Sequence, residues 1–113
     1  MRELMYVDDF AAICIKLCAL RKKEFFQGTL STNTFVNIGS NIEVSIRQLA
    51  KSIKEIVGFN GDLLFDDSWP DGTMRKSLNC EKLQRLLPVS ATSLEEGLEL
   101  TYRDYIQNTN RRS

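Results

Sequence analysis

Ser45-Ile46-Arg47-Gln48-Leu49-Ala50-Lys51-Ser52-Ile53-Lys54-Glu55-Ile56-Val57-Gly58 carries the clearest local signal in the chain. Ser45 and Gln48 have the spacing of a capping box, in which the serine accepts from the third helical amide and the glutamine reaches back. Ile46, Leu49, Ala50, Ile53, Ile56 and Val57 recur at helical spacing, with Arg47, Lys51, Lys54 and Glu55 mainly off that face. Gly58 supplies the left-handed residue that stops a helix. The pattern predicts a helix over 45–57 whose apolar face has to be covered from elsewhere.

Downstream, Asn60-Gly61 reads as a turn and Leu63-Leu64-Phe65 as a short strand before Asp66-Asp67. Trp69-Pro70-Asp71-Gly72-Thr73-Met74-Arg75-Lys76 then interrupts the apolar patterning. Pro70 fixes its own φ, Gly72 allows a tight reversal, and Asp71 and Thr73 can bond the turn backbone. Taken alone, this stretch reads as a polar surface turn followed by a solvated basic pair. Asn79 can cap a short helix carrying Leu83, Leu86 and Leu87, which stops before Pro88. Ser93-Leu94-Glu95-Glu96 is a second capping box. It opens a helix whose stripe of Leu94, Leu98, Tyr102 and Tyr105 runs to about Ile106. Gly97 inside it costs up to about 1 kcal/mol relative to alanine. Residues 107–113 read as a frayed polar tail.

Upstream, Thr34-Phe35-Val36-Asn37-Ile38 has strand composition and is closed by Gly39, Ser40 and Asn41. Residues 25–33 read as an exposed loop. Phe10, Ile13, Cys14, Leu17 and Cys18 form a helical stripe, with Asp8 or Asp9 as its cap. Arg21, Lys22 and Lys23 suit the C-terminal end of that helix. Residues 1–7 read as an extended segment.

A chain of 113 residues is one small domain in size and long enough for a single core. Its 15 basic and 15 acidic residues cancel, which argues against a general binder of nucleic acid or anionic membrane. No apolar run reaches the length of a membrane span, and no secretory signal is visible. Cys14, Cys18 and Cys80 make an unpaired set, as expected of reduced thiols in a cytoplasmic protein. Cys14 and Cys18 share a helix face and read as core residues rather than as metal ligands. The absence of histidine removes the commonest general base and the usual zinc ligand.

The six glycines are too scattered for a dinucleotide-binding turn. No tyrosine is followed four residues later by lysine: Tyr6 leads to Phe10, Tyr102 to Ile106 and Tyr105 to Thr109. Of the acidic pairs, Asp8/Asp9 and Glu95/Glu96 are explained by helix starts, and Asp66/Asp67 reads as a solvated strand end. No catalytic residue is assigned. What remains is an anion site: Arg2 can hold a phosphate bidentately, with Lys76 or Arg75 as a second cation. Each charge-assisted bond of this kind contributes about 1.5–3 kcal/mol.

The order of motifs resembles the C-terminal part of the GDP-L-fucose synthase family, extended short-chain dehydrogenase/reductases. The matching stretches are Met1-Arg2-Glu3-Leu4 through Val7-Asp8-Asp9, Val36-Asn37-Ile38-Gly39, Ser45-Ile46-Arg47-Gln48-Leu49-Ala50, Pro70-Asp71-Gly72-Thr73 with Arg75-Lys76, and Leu94-Glu95-Glu96-Gly97-Leu98. Val-Asp-Asp and Asn-Ile-Gly are shared by many nucleotide-sugar enzymes. Pro-Asp-Gly-Thr-x-Arg-Lys is the discriminating signature.

The resemblance implies an α/β fold of about three main helices with short strands, the substrate-binding portion of such an enzyme without its N-terminal Rossmann core. It implies that Arg2 and Lys76 lie near a GDP-sugar, beside Arg75, and that Asp71 matches an acidic position of the substrate-side turn. For Asp8 and Asp9 it favours a structural role at a helix start. The full enzyme of the family converts GDP-4-keto-6-deoxy-mannose to GDP-L-fucose with NADPH and commonly forms homodimers. Met74 replaces the family's usual proline, and Leu87-Pro88 replaces its Gly-Trp. The glycine fingerprint and the Tyr-x-x-x-Lys set are missing, so residues 1–113 read as a partial chain, inactive alone and binding no NADP. The alternatives are a fragment of another nucleotide-sugar epimerase or dehydratase, and a non-catalytic interaction domain.

Overall fold

The computed structural model describes residues 1–26, 34–66, 68–70 and 72–109. Along them lie β1 (Arg2–Glu3), α1 (Val7–Ala19), α2 (Lys22–Phe25), β2 (Glu43–Val44), α3 (Ile46–Val57), α4 (Glu81–Leu86) and α5 (Leu94–Thr109). Three main helices, two short ones and a two-stranded ladder make a small mixed structure.

The best-patterned helix forms as its sequence predicts. Ser45 Oγ accepts from the Gln48 amide and Gln48 Oε1 accepts from the Ser45 amide, both at 3.1 Å. Gly58 closes α3 in the left-handed region at φ 68°. The helix packs against α5. Ser93 Oγ caps α5 by accepting from the Glu96 amide at 3.2 Å. Gly97 is buried there, and a β-carbon in its place would stand 3.3 Å from Tyr6 Cβ. The glycine that weakens the helix is what lets α5 approach the N-terminal segment. The helix runs on to Thr109, past the predicted end near Ile106, with the Thr109 hydroxyl donating to the Tyr105 carbonyl at 2.7 Å.

Helix α1 starts at Val7, so Asp8 and Asp9 are not its caps. They lie in its first turn, where their charge complements the helix dipole. Asp9 Oδ2 instead accepts from the Thr92 amide at 2.7 Å and ties the approach of α5 to α1. Nor do Arg21, Lys22 and Lys23 end α1, which stops at Ala19. Glu24 accepts from the Arg21 amide at 2.9 Å and from its guanidinium at 2.6 Å, which starts the separate turn α2. Phe25 is therefore helical, and the rest of the predicted loop lies outside the described residues apart from Phe26.

The predicted strands at 34–38 and 63–65 do not form. A strand needs a neighbour for its backbone, and no described segment pairs with either one. The Phe35 carbonyl accepts from Lys82 Nζ at 2.9 Å, and Asn37 Nδ2 donates to the Asn79 carbonyl at 3.1 Å. Phe65 is used as a ring: the Arg47 guanidinium lies 3.9 Å from its centroid. The ladder that does form is antiparallel, pairing Arg2 with Val44 and Glu3 with Glu43.

The core gathers at Ile13, Cys80 and Leu83, which are 4%, 2% and 0% exposed. Met5, Leu17, Val36, Ile38, Leu87 and Val89 pack around it. Cys80 is thus the core cysteine, whereas Cys14 is half-buried and Cys18 exposed. The inward face of α1 is centred on Ile13 and Leu17, which turns Cys18 away. No helix among the described residues is long and apolar enough to cross a membrane. No group of three or more potential metal ligands occurs among them.

Candidate ligand-binding site

The polar turn is drawn against the edge of β1. The Lys76 amide donates to the Met1 carbonyl at 3.1 Å, and Lys76 forms a parallel bridge with Arg2. Arg2 Nη1 donates to the carbonyls of Thr73 and Met1, each at 2.8 Å. A cation on β1 thus bonds the backbone of the turn from 71 residues away in the chain. Arg75 Nε donates to Glu43 Oε1 at 2.6 Å and pins the same segment to β2. The bond from Arg75, followed by one from Ser77, holds the Glu43 carboxyl below its usual range. The pairing raises Arg75 in turn.

Glu3 is the second acid at this edge. Its Oε1 accepts from the Asn41 amide at 2.9 Å and its Oε2 from the Leu78 amide at 2.8 Å. Glu3 and Glu43 face one another in the ladder, a like-charge opposition that ordinarily weakens a sheet. Here each carboxylate has partners of its own.

Between the loop at 38–39 and the segment 75–78 opens a cleft of about 550 Å³. Leu4, Met5 and Ile38 line its apolar side, and Arg75, Lys76 and Ser77 its polar side. A neighbouring hollow of about 720 Å³ shares Arg75 and Ser77 and adds Asn79, Gln84 and Arg85. Together the two carry Arg75, Lys76 and Arg85 as cations. Glu3 also lines the cleft and Glu81 the hollow beside it. The Cys80 thiol borders the second hollow, but burial, followed by the nearby Glu3 charge, pushes it up. That keeps it protonated and a poor nucleophile.

Of the four residues singled out in the sequence, Arg2, Arg75 and Lys76 come together. Asp71 lies outside the described residues. Arg75 and Lys76 line the cleft, whereas Arg2 is turned to the backbone of the turn. Glu3 and Glu43 went unnoticed in the sequence. A signal was present: acids beside Arg2 and just before the capping box of α3 fall in stretches otherwise suited to strands.

No protein-family model matches the chain. It is 38% identical over 111 residues to the GDP-L-fucose synthase of Escherichia coli (strain K12), which covers 98% of this chain and 35% of that protein. It is 42% identical over 108 residues to GDP-L-fucose synthase 1 of Arabidopsis thaliana, covering 96% of this chain and 31% of the relative. With the GDP-L-fucose synthase of Sinorhizobium fredii it shares 45% identity over 107 residues, 95% of this chain and 31% of the relative. The chain thus spans about a third of the length of the curated relatives it matches.

Proposed function

From its similarity, over nearly its whole length, to the C-terminal part of GDP-L-fucose synthases, we propose that this chain is the substrate-side portion of such an enzyme. The near-complete coverage of the chain by these relatives carries the reading. On it, the cleft holds a GDP-sugar, with Lys76 and Arg75 meeting the diphosphate as charged donors. Arg2 retains donors beyond the Nη1 bonded to Thr73, and Asp71 lies two residues before Thr73 in the sequence. The whole enzyme would be an extended short-chain dehydrogenase/reductase turning GDP-4-keto-6-deoxy-mannose into GDP-L-fucose with NADPH.

The described residues do not suit NADPH. A dinucleotide site needs parallel strands with a glycine-rich turn into a helix, and the ladder here is two residues long and antiparallel. No reduction step is therefore assigned to this chain. A dinucleotide-binding half, in a longer polypeptide or a separate one, would supply it. The exposed apolar residues Val7 and Ile15 on α1, 66% and 71% accessible, support such a covering partner.

Titration of the purified 113-residue chain with GDP, UDP and dTDP tests the substrate class. Preference for GDP is expected, and preference for UDP would overturn the assignment. Ketone-dependent oxidation of NADPH by the chain alone would overturn the division of labour.

A further inference from the structure

We propose that Glu3 is a positioning residue that sets the width of the cleft; this rests on the cleft being the GDP-sugar site. Its two carboxylate oxygens each accept one backbone amide, Asn41 at 2.9 Å and Leu78 at 2.8 Å. These amides belong to separate stretches, one continuing the wall that carries Ile38 and Gly39, the other the wall that carries Arg75, Lys76 and Ser77. One side chain on β1 therefore fastens both walls. A carboxylate suits this task because both of its oxygens accept, whereas a glutamine has one acceptor and would turn its NH₂ towards an N–H donor.

Gly39 is the counterpart of this clasp. A β-carbon on it would stand 2.1 Å from Glu3 Oε1, 3.0 Å from Glu3 Cδ and 3.1 Å from Cys80 Sγ. Gly39 does not have positive φ, so its backbone accepts an alanine. The requirement for glycine there comes first from the space the carboxylate occupies and second from the buried Cys80 thiol. Arg75 completes the arrangement through Glu43, since it fixes the cation-bearing wall to the strand opposite Glu3. The cleft then presents Lys76 at a fixed distance from the Ile38 wall.

The test compares the full chain with Glu3→Gln, Glu3→Ala, Gly39→Ala and the Glu3→Ala/Gly39→Ala double variant. Two quantities are measured, hydrogen exchange at the Asn41 and Leu78 amides and affinity for GDP. The α3 amides serve as an internal reference for global unfolding. Glu3→Ala and Gly39→Ala are expected to speed exchange at both amides by about 10- to 100-fold, and Glu3→Gln at one of them. Affinity for GDP should fall about tenfold with α3 protection unchanged, a split that a general loss of stability would not produce. In the Glu3→Ala background, Gly39→Ala should cost less than it does in the unaltered chain, because the carboxylate is gone and only the milder 3.1 Å contact with Cys80 Sγ is left.

Unchanged exchange at Asn41 and Leu78 would overturn the clasp, as would additive effects in the double variant. Faster exchange with unaltered GDP affinity would overturn the positioning role. If the unaltered chain binds no GDP, the ligand reading fails, and the exchange measurements judge the clasp by themselves.

Discussion

Glu43 shows how one residue joins fold and site. It stands on β2, two residues before the Ser45 cap of α3, and holds Arg75 at the cleft. Because Arg75 and Ser77 lower its folded pKa, its contribution to stability is fully present above the ordinary glutamate value of about 4.3. That contribution is lost as pH falls through the lowered folded value. Urea unfolding of the chain and its Glu43→Gln variant is expected to show the chain more stable at neutral pH. The gap should close towards pH 3, and a constant gap would mean that the ion pair contributes nothing. At this scale Arg2, Arg75 and Lys76 were legible as cations, but their division of labour was not. Arg2 and Arg75 spend donors on carbonyl and carboxylate partners 71 and 32 residues away in the chain.

Among the elements, α3 was legible nearly to the residue because its cap, its stripe and its stop are all local. The helix glycine of α5 shows the opposite case. Gly97 looks like a defect in the sequence, yet Tyr6 fills the space that a β-carbon on it would need, 3.3 Å from Tyr6 Cβ. Gly97→Leu is expected to destabilise the chain by about 1–3 kcal/mol in urea titrations, since overpacking outweighs the gain in helix propensity. No loss of stability would mean that α5 and Tyr6 do not pack closely. The strands were misplaced for a related reason. Residues 34–38 have the composition of a strand, but pairing depends on a neighbour that composition cannot reveal.

For the whole molecule, the radius of gyration is 17.9 Å, against about 13 Å for a compact chain of this length. Among the described residues, the buried apolar set is Ile13, Val44, Cys80 and Leu83. Helix α1 has apolar residues on two faces, Ile13 and Leu17 inward and Val7 and Ile15 outward. A helix apolar on two faces is one built to be covered twice. Ile15→Glu is expected to change the stability of the isolated chain by less than about 0.5 kcal/mol, because the side chain touches little there. The same substitution should reduce association with a dinucleotide-binding half supplied in trans, measured by sedimentation or calorimetry. A large loss of stability in the chain alone would show that Ile15 is already covered.

What the sequence by itself determined is the three main helices, the short α4 and the identity of the chain's relatives. Caps, stripes and stops act over a few residues, and the Pro-Asp-Gly-Thr turn with Arg75-Lys76 is read in one stretch. What only the tertiary structure decided is how that turn is held. Arg2, Glu3 and Glu43 reach it across 71, 75 and 32 residues of chain. Hydrogen bonds over such separations depend on which backbone groups the folded chain brings within about 3 Å, and local patterning carries no record of that distance.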